Sequence, residues 1–368
     1  MPLYLDLHEM PDGVTAEHVA EMHQADLKIE HEFNCRGLTY WCDEKRQTAF
    51  CLIEAPSKQA LKDLHNEAHG DVPLRIIEVD DTIVESFLGR IEDPEKSKNV
   101  KLNIINDPAF RVLMVIETSN YLNRLEANQF SIFTQKFHNN VSKTLKKFNG
   151  RVVKKDNNTY LASFNSVTDA VLCALKIQFH FKFVTPKFDP STRKLNIALS
   201  SGTPITDKEN IFEETITLAT RMCDIVKDQL VITTEVKLLY ESENRNAAID
   251  NKMIKILKPN EEKFLTQLID FVEQVWNKPN FHVNDFSKAL GLSKSQLYRK
   301  LTKLTGLSPN NFLKEFRLHK ALDLLHKQNG NISEIAFETG FNSAAYFSKC
   351  FLIKYGILPS KYIQQHII

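Results

Sequence analysis

The last hundred residues contain one pattern twice, and this repeat constrains the fold more than any other feature of the chain. In each copy a short segment with an apolar helical face ends at a glycine, and a serine then precedes a second helical segment. Gly291 and Gly340 occupy the sharp turns, where a left-handed backbone costs another residue about 1 kcal/mol or more. Ser293 and Ser343 are expected N-caps. The pattern predicts two helix-turn-helix units in tandem, a layout that places a helix in the DNA major groove.

A long helix is predicted between the two units. Ser308 is its expected N-cap, and Pro309 suits the first helical position. Residues 262–368 resemble the DNA-binding domain of AraC/XylS-type transcription regulators, and the matching segments are 297–300, 306–309, 317–318, 340–343 and 346–348. One departure is visible, because Tyr362 is followed by Ile363 where that family usually has arginine. The resemblance implies an all-α domain that binds double-stranded DNA.

Polar residues on the second helix of each unit are the expected DNA contacts. Arginine and lysine suit guanine edges or phosphate, and asparagine and glutamine suit adenine. The candidates are Lys294, Ser295, Gln296, Arg299, Lys300, Asn342, Ser343, Tyr346 and Lys349. The charge balance agrees, since residues 262–368 carry 14 Lys+Arg against 8 Asp+Glu while the preceding 261 residues carry 33 against 38. Phosphate binding favours such a basic region.

Residues 1–90 form a predicted first domain that is acidic, with 8 Lys+Arg against 18 Asp+Glu. The pattern predicts a strand, a helix, a hairpin, a second helix and a last strand, over 3–8, 15–33, 38–43 with 48–54, 57–67 and 74–79. This β-α-β-β-α-β order is the ferredoxin-like plan. Two helices leave one face of such a sheet uncovered, so we expect a homodimer or a docked neighbour there.

Histidines in this region are candidate metal ligands. His65 and His69 lie at i and i+4 of the second predicted helix and share one of its faces. His8 ends the first strand and His23 lies on the first helix. The alternative is that His8 and His23 are hydrogen-bonded core residues, and that Cys51 is a small core hydrophobe.

Residues 3–80 resemble a small nickel-binding family with a ferredoxin-like, dimeric fold. The matching segments are 15–20, 40–44, 50–56 and 65–70. The resemblance implies nickel or another divalent transition metal as the ligand. The alternatives are a small organic ligand or dimerisation alone.

Residues 105–258 alternate strands and helices and resemble a class III nucleotide cyclase on segments 148–164, 170–178, 197–202 and 217–222. Such enzymes need two aspartates that bind metal. The first position falls at Ile116, or at Glu117 if the register shifts by one, and the second at Asn158. Thr217 stands where an asparagine would stabilise the transition state, and Arg221 alone is kept. We therefore expect a degenerate cyclase-like domain that is no longer an enzyme and serves signal transmission or dimerisation. Nucleotide sensing remains an alternative.

Together these patterns predict an α+β multidomain chain: a ferredoxin-like domain (1–90), a cyclase-like α/β domain (105–258) and an all-α domain (262–368). The first residues lack a basic region before an apolar core, so we expect no signal peptide. Six irregularly spaced cysteines suit the cytoplasm, and no segment approaches the roughly 20 apolar residues of a membrane span. The expected function is metal-responsive transcription regulation. The alternatives are a regulator that senses a nucleotide or organic ligand, and an active cyclase fused to a DNA-binding domain.

Overall fold

The computed structural model describes residues 1–94, 102–120, 127–156, 158–184, 193–226, 230–245, 249, 252–281, 283–327 and 330–366. In this part of the chain the strands form two sheets. The first comprises β1 (Leu3–Glu9), β2 (Arg36–Asp43), β3 (Thr48–Glu54) and β4 (Arg75–Val79). The second comprises β5 (Arg111–Asn120), β6 (Arg151–Lys155), β7 (Thr159–Phe164), β8 (Arg193–Gly202), β9 (Leu230–Thr233) and β10 (Ile254–Leu257).

The helices flank the two sheets and then form a separate C-terminal group. Those of the first domain are α1 (Ala16–Ile29), α2 (Lys58–Ala68) and α3 (Asp81–Leu88), and those of the middle region are α4 (Ala127–Lys147), α5 (Val167–Val184), α6 (Glu213–Ile225) and α7 (Thr234–Glu243). The C-terminal helices are α8 (Pro259–Val275), α9 (Val283–Ala289), α10 (Lys294–Thr305), α11 (Pro309–His326), α12 (Ile332–Glu338), α13 (Ala344–Tyr355) and α14 (Pro359–His366). Within the described residues, no helix is both long and apolar enough to cross a membrane.

The first sheet has the strand order β2-β3-β1-β4 with antiparallel neighbours, as the ferredoxin-like prediction requires. One face packs against α1 and α2. Ser57 starts α2 as predicted, because its hydroxyl accepts a hydrogen bond from the Ala60 amide at 3.2 Å. This face holds the polar residues of the domain that are described below.

The other face of the first sheet is covered by a neighbour within the same chain. Leu5, Trp41 and Leu52 pack with the middle region's Leu113 and Phe212 in one apolar cluster. Helix α3, which the sequence analysis did not predict, adds its own apolar residues to this cluster. The docked neighbour, one of the two expected arrangements, therefore covers this face, and the expected homodimer stays a prediction.

The second sheet has the order β10-β9-β8-β5-β7-β6, with parallel pairs only between β8, β9 and β10. Helices α4, α5 and α7 pack on one side in a large apolar core. Helix α6 lies on the other side and contacts α8. This establishes a mixed α/β middle region, and its cyclase-like identity stays a prediction.

The C-terminal helices contain the two predicted helix-turn-helix units, α9–α10 and α12–α13. Gly291 and Gly340 have φ values of +63° and +79°, as their turns require. Ser293 and Ser343 are N-caps of α10 and α13, with hydroxyls that accept hydrogen bonds from the amides three residues ahead, at 3.2 and 3.3 Å. Ser308 caps α11 in the same way, at 3.4 Å from the Asn311 amide. The local predictions for these turns are confirmed.

Candidate metal centre and nucleic-acid interface

Three elements of the first domain bring carboxylates and imidazoles together between the sheet and its two helices. Asp6 and His8 share one face of β1 because side chains two residues apart in a strand point the same way. Asp26 projects from α1 and His65 from α2, and His69 is the residue that ends α2, one turn after His65. Asp6 and His65 are fully buried. A buried polar cluster of this size needs partners for every charge.

Asp26, His65 and His69 form one group with metal-ligand spacing. Nδ1 of His65 lies 3.1 Å from Oδ1 of Asp26 and 3.1 Å from Nε2 of His69, which lies 3.3 Å from the same carboxylate oxygen. Atoms bound to one ion at about 2.1 Å are separated by roughly 3.0–3.4 Å, so this spacing fits a metal. Nε2 of His65 lies 3.0 Å from Oδ2 of Asp6, and a carboxylate in that position orients a ligating imidazole.

Asp6, His8 and Cys51 form a second group whose ligand atoms lie within 4.8 Å of one another. Nδ1 of His8 lies 2.9 Å from Oδ2 of Asp71. Nε2 of His8 is buried without a hydrogen-bond partner, and its closest carboxylate oxygen, Oδ1 of Asp6, lies 3.4 Å away. An imidazole held by a carboxylate at one nitrogen, with its other nitrogen buried beside a second carboxylate, is arranged to bind a metal. Nitrogen, oxygen and sulfur together suit a borderline-soft divalent ion.

The imidazoles and carboxylates of the cluster shift one another's pKa values. Burial alone would lower the pKa of His65, but the charge of Asp6 and its hydrogen bonds to Asp26 and Asp6 raise it to about 10. Burial alone would also lower the pKa of His8, but Asp6 and Asp71 raise it to about 9. Burial would raise the pKa of Asp6, yet His65 and His8 hold it well below its usual value. Without metal, protonated imidazoles therefore balance the carboxylates.

The structure brings His8, His65 and His69 together but places the fourth candidate elsewhere. Nε2 of His23 lies 3.3 Å from Oδ2 of Asp93, and its ring packs against Tyr40 with centroids 5.1 Å apart. His23 is therefore a buried, paired core residue, which matches the alternative stated for it. The carboxylates of Asp6, Asp26 and Asp71 were missed, although an aspartate two residues before His8 in an apolar strand was a visible signal.

The nine predicted DNA contacts all lie at the surface of α10, α13 and the turn before α13. Two of them also stabilise helix starts. The Gln296 side-chain oxygen accepts a hydrogen bond from the Ser293 amide at 2.9 Å, and the Ser343 hydroxyl caps α13. The Gln296 side-chain nitrogen and the Ser343 hydroxyl remain able to donate to DNA. Arg299 and Lys349 are exposed as well. The two units thus present polar surfaces suited to DNA.

Positions that would hold cyclase metals do not form such a site. Ile116 is fully buried in the core of the second sheet and offers no oxygen ligand. Arg221, the retained arginine, pairs with Asp270 of α8. Its role in this structure is to connect the middle region to the C-terminal helices.

Two family models match the two ends of the chain. Residues 286–365 match a helix-turn-helix domain model, and residues 4–79 match the model described as nickel responsive protein SCO4226-like. The crystal structure of SCO4226 from Streptomyces coelicolor A3(2) is 34% identical, covers 21% of this chain and 94% of its own, and has a TM-score of 0.20.

Two curated relatives match over about a hundred residues. Histidine kinase P4 of Formosa agariphila is 39% identical over 102 residues, 28% of this chain and 7% of that protein. The HTH-type transcriptional regulator MtrA of Neisseria gonorrhoeae is 32% identical over 115 residues, 31% of this chain and 37% of that protein. The match thus spans well under half the length of either relative. The chain carries an AraC-type helix-turn-helix domain in its C-terminal part and a domain of the nickel-responsive SCO4226-like family in its N-terminal part.

Proposed function

We propose that the chain is a DNA-binding transcription regulator of the AraC type that responds to a divalent transition metal, with nickel the first ion to test. The observation that carries the proposal is the position of β1. Asp6 and His8 face the candidate metal cluster, while Leu5, the residue before Asp6, faces the middle region and packs in one cluster with Phe212. A displacement of β1 by metal binding would therefore shift the middle-region residues that pack against it across the domain interface.

The DNA-binding half of the proposal rests on the two helix-turn-helix units. Their turn glycines, N-caps and exposed polar helix faces agree with a matched family model. The MtrA relative is named a transcriptional regulator, which supports the same function here. The nine surface residues on α10, α13 and the turn before α13 are the proposed contacts.

The metal-binding half rests on the donor geometry. Asp26, His65 and His69 would hold one ion, and Asp6, His8 and Cys51 offer a second set of donors. A bound divalent ion supplies positive charge that replaces the imidazole protons among the carboxylates. His23 is left out of the proposed site because Asp93 already engages it.

Two sets of contacts connect the cluster to the DNA-binding helices. The buried Arg111 donates from its guanidinium to the carbonyls of Phe87 and Leu88 at the end of α3, at 3.1 and 3.0 Å. Elsewhere in the middle region, Arg221 pairs with Asp270, and Nζ of Lys255 donates to the Leu304 carbonyl at 2.7 Å. The first domain and the first helix-turn-helix unit thus both contact the same middle region.

The test combines metal content with DNA affinity. The untagged full chain is dialysed against nickel, zinc, copper or cobalt, and bound metal is counted by elemental analysis. Stoichiometric binding is expected, with loss in His65→Ala/His69→Ala and retention in His31→Ala, an exposed histidine of the same domain. Because His65→Ala strands buried carboxylates, His69→Ala alone and thermal unfolding are measured in parallel. Metal binding that is indifferent to these residues would refute the site.

A homodimer completes the proposal, since a transcription regulator that binds paired half-sites is commonly two-fold symmetric. Sedimentation equilibrium with and without metal measures it directly. A monomer at all concentrations would remove this part and leave the metal response standing.

A further inference from the structure

A large groove lies at the β10 edge of the second sheet, beside the first helix-turn-helix unit. Its volume is about 1260 Å³, and β10, α5, α7 and the start of α8 line it. Among the lining residues that the structure describes, five are lysines and none is acidic. We name it the lysine groove after these residues: Lys182, Lys237, Lys252, Lys255 and Lys258.

The chemistry of the lysine groove favours phosphate and offers little to a base. Its described lining contains no aromatic ring on which a base could stack and no arginine fork. Lys182, Lys252 and Lys258 are exposed point charges on flexible stems, which neutralise phosphates without reading sequence. An extended nucleic-acid backbone fits this lining better than a nucleotide, which would need a shaped polar pocket.

The lysine groove continues the proposed DNA-binding face of α10. Gln296, Arg299, Lys300 and Lys303 are spaced by three and four residues and are exposed on one side of that helix. Nζ of Lys303, at the end of this stripe, lies 2.7 Å from Oε1 of Glu261.

The contacts of Glu261 and Lys255 extend from this stripe into the groove. The other carboxylate oxygen of Glu261 accepts a hydrogen bond from the amide of Lys258 at 3.1 Å. Lys255, also in the groove, donates to the Leu304 carbonyl at the end of α10. The basic surface of the helix and the groove therefore meet.

We propose that the lysine groove binds the phosphate backbone of DNA flanking the segment contacted by the helix-turn-helix units. The inference rests on the proposed DNA-binding function and adds the middle region to the DNA interface. Because the middle region also packs against the first domain, its affinity for flanking DNA would change if the packing of that domain changed.

The test uses duplexes selected by the full chain from a random pool, then trimmed. One duplex keeps only the segment protected by the helix-turn-helix units, and the other adds roughly one helical turn, about ten base pairs, on each side. Lys182→Gln/Lys252→Gln/Lys258→Gln should lower affinity for the long duplex at least tenfold. It should also reduce the salt slope by up to about 2.7, since each of the three phosphate contacts contributes roughly 0.9. Affinity for the short duplex should stay within twofold.

The matched control is Lys143→Gln/Lys146→Gln/Lys154→Gln, which removes the same charge from exposed lysines of α4 and β6, the latter at the opposite edge of the sheet. Equal long-duplex affinities for the groove variant and this control would overturn the inference. So would saturable ATP binding that the groove variant loses while DNA affinity is unchanged, because the occupant would then be a phosphorylated small molecule. If the unaltered chain binds neither duplex, the proposed function itself fails, and the groove's role with it.

Discussion

The polar residues of the first domain and those of the C-terminal domain lie in opposite environments. Asp6, His8 and His65 are buried and pair with one another, whereas Lys294 and Arg299 are exposed. A buried charge depends on its partners for stability, and an exposed one is available to a ligand at little cost to the fold. The first region is thus built to be sensitive to a change of charge, and the second to bind without rearranging.

Removing one carboxylate from the cluster should lower the free energy of unfolding more than any other change considered below. Asp6→Ala leaves the imidazoles of His8 and His65 without their shared partner, so we expect a loss of about 3–5 kcal/mol in the free energy of unfolding. Urea unfolding followed by circular dichroism measures it. Asp63→Ala, an exposed carboxylate of α2, is the control and should change stability by less than about 0.5 kcal/mol. Similar values for both would show that the cluster is not a tight charge network.

Substitution of the two turn glycines of the C-terminal domain should cost different amounts of stability, although the sequences around them look alike. A Cβ at Gly340 would lie 2.8 Å from the Trp276 carbonyl oxygen, while a Cβ at Gly291 would meet nothing within 4 Å. Both have positive φ, so Gly291→Ala should cost about 1 kcal/mol, and Gly340→Ala should cost about 2 kcal/mol or more. Thermal unfolding of the two variants checks the difference, and equal losses would mean that the turn conformation alone matters.

Alkaline pH should weaken the metal-free first domain. The pKa values of His8 and His65 are raised to about 9 and about 10 in the folded protein. Their contribution is fully present below the unfolded value near 6.5 and is lost as the pH rises through the folded values. Because two groups contribute, we expect the free energy of unfolding to fall by roughly 2 kcal/mol per pH unit between pH 7 and 9. Saturating nickel should remove this slope, and a flat profile in metal-free protein would contradict the protonated network.

Substitution on the DNA-binding face should have the smallest effect on stability. Arg299→Ala is expected to change the free energy of unfolding by less than about 0.5 kcal/mol. Its affinity for selected DNA should fall by about 1–3 kcal/mol if it contacts a base, with relaxed preference at one position. Fluorescence anisotropy with matched and mismatched duplexes measures both. Unchanged affinity would remove Arg299 from the interface.

Features fixed by a few neighbouring residues were predictable from the sequence. The N-caps Ser293 and Ser343 and the turn glycines were predictable because helix starts and left-handed turns need these residue types whatever packs around them. The pair His65 and His69 was likewise visible from helix spacing. Asp26 and Asp71 were not, because only the packing of α1 and of the turn after α2 against β1 brings them to the histidines.

Helix α3 was missed for a similar reason. Its start is marked locally, since Asp80 caps it by accepting hydrogen bonds from the Thr82 and Ile83 amides at 3.0 and 3.2 Å. Its eight residues, however, are too few to show a clear helical period. Its apolar side also faces a domain interface, which sequence spacing does not reveal. The same tertiary contact decides that the open sheet face is covered within the chain.

The most direct test measures the coupling between the metal cluster and the DNA-binding helices. Affinity for selected DNA is measured with and without saturating nickel, and nickel affinity is measured with and without DNA. Coupling requires that both affinities change by the same factor, and about 5- to 150-fold is typical. We expect equal factors that vanish in His69→Ala. Stoichiometric nickel at the cluster with DNA affinity unchanged would contradict a metal-responsive regulator.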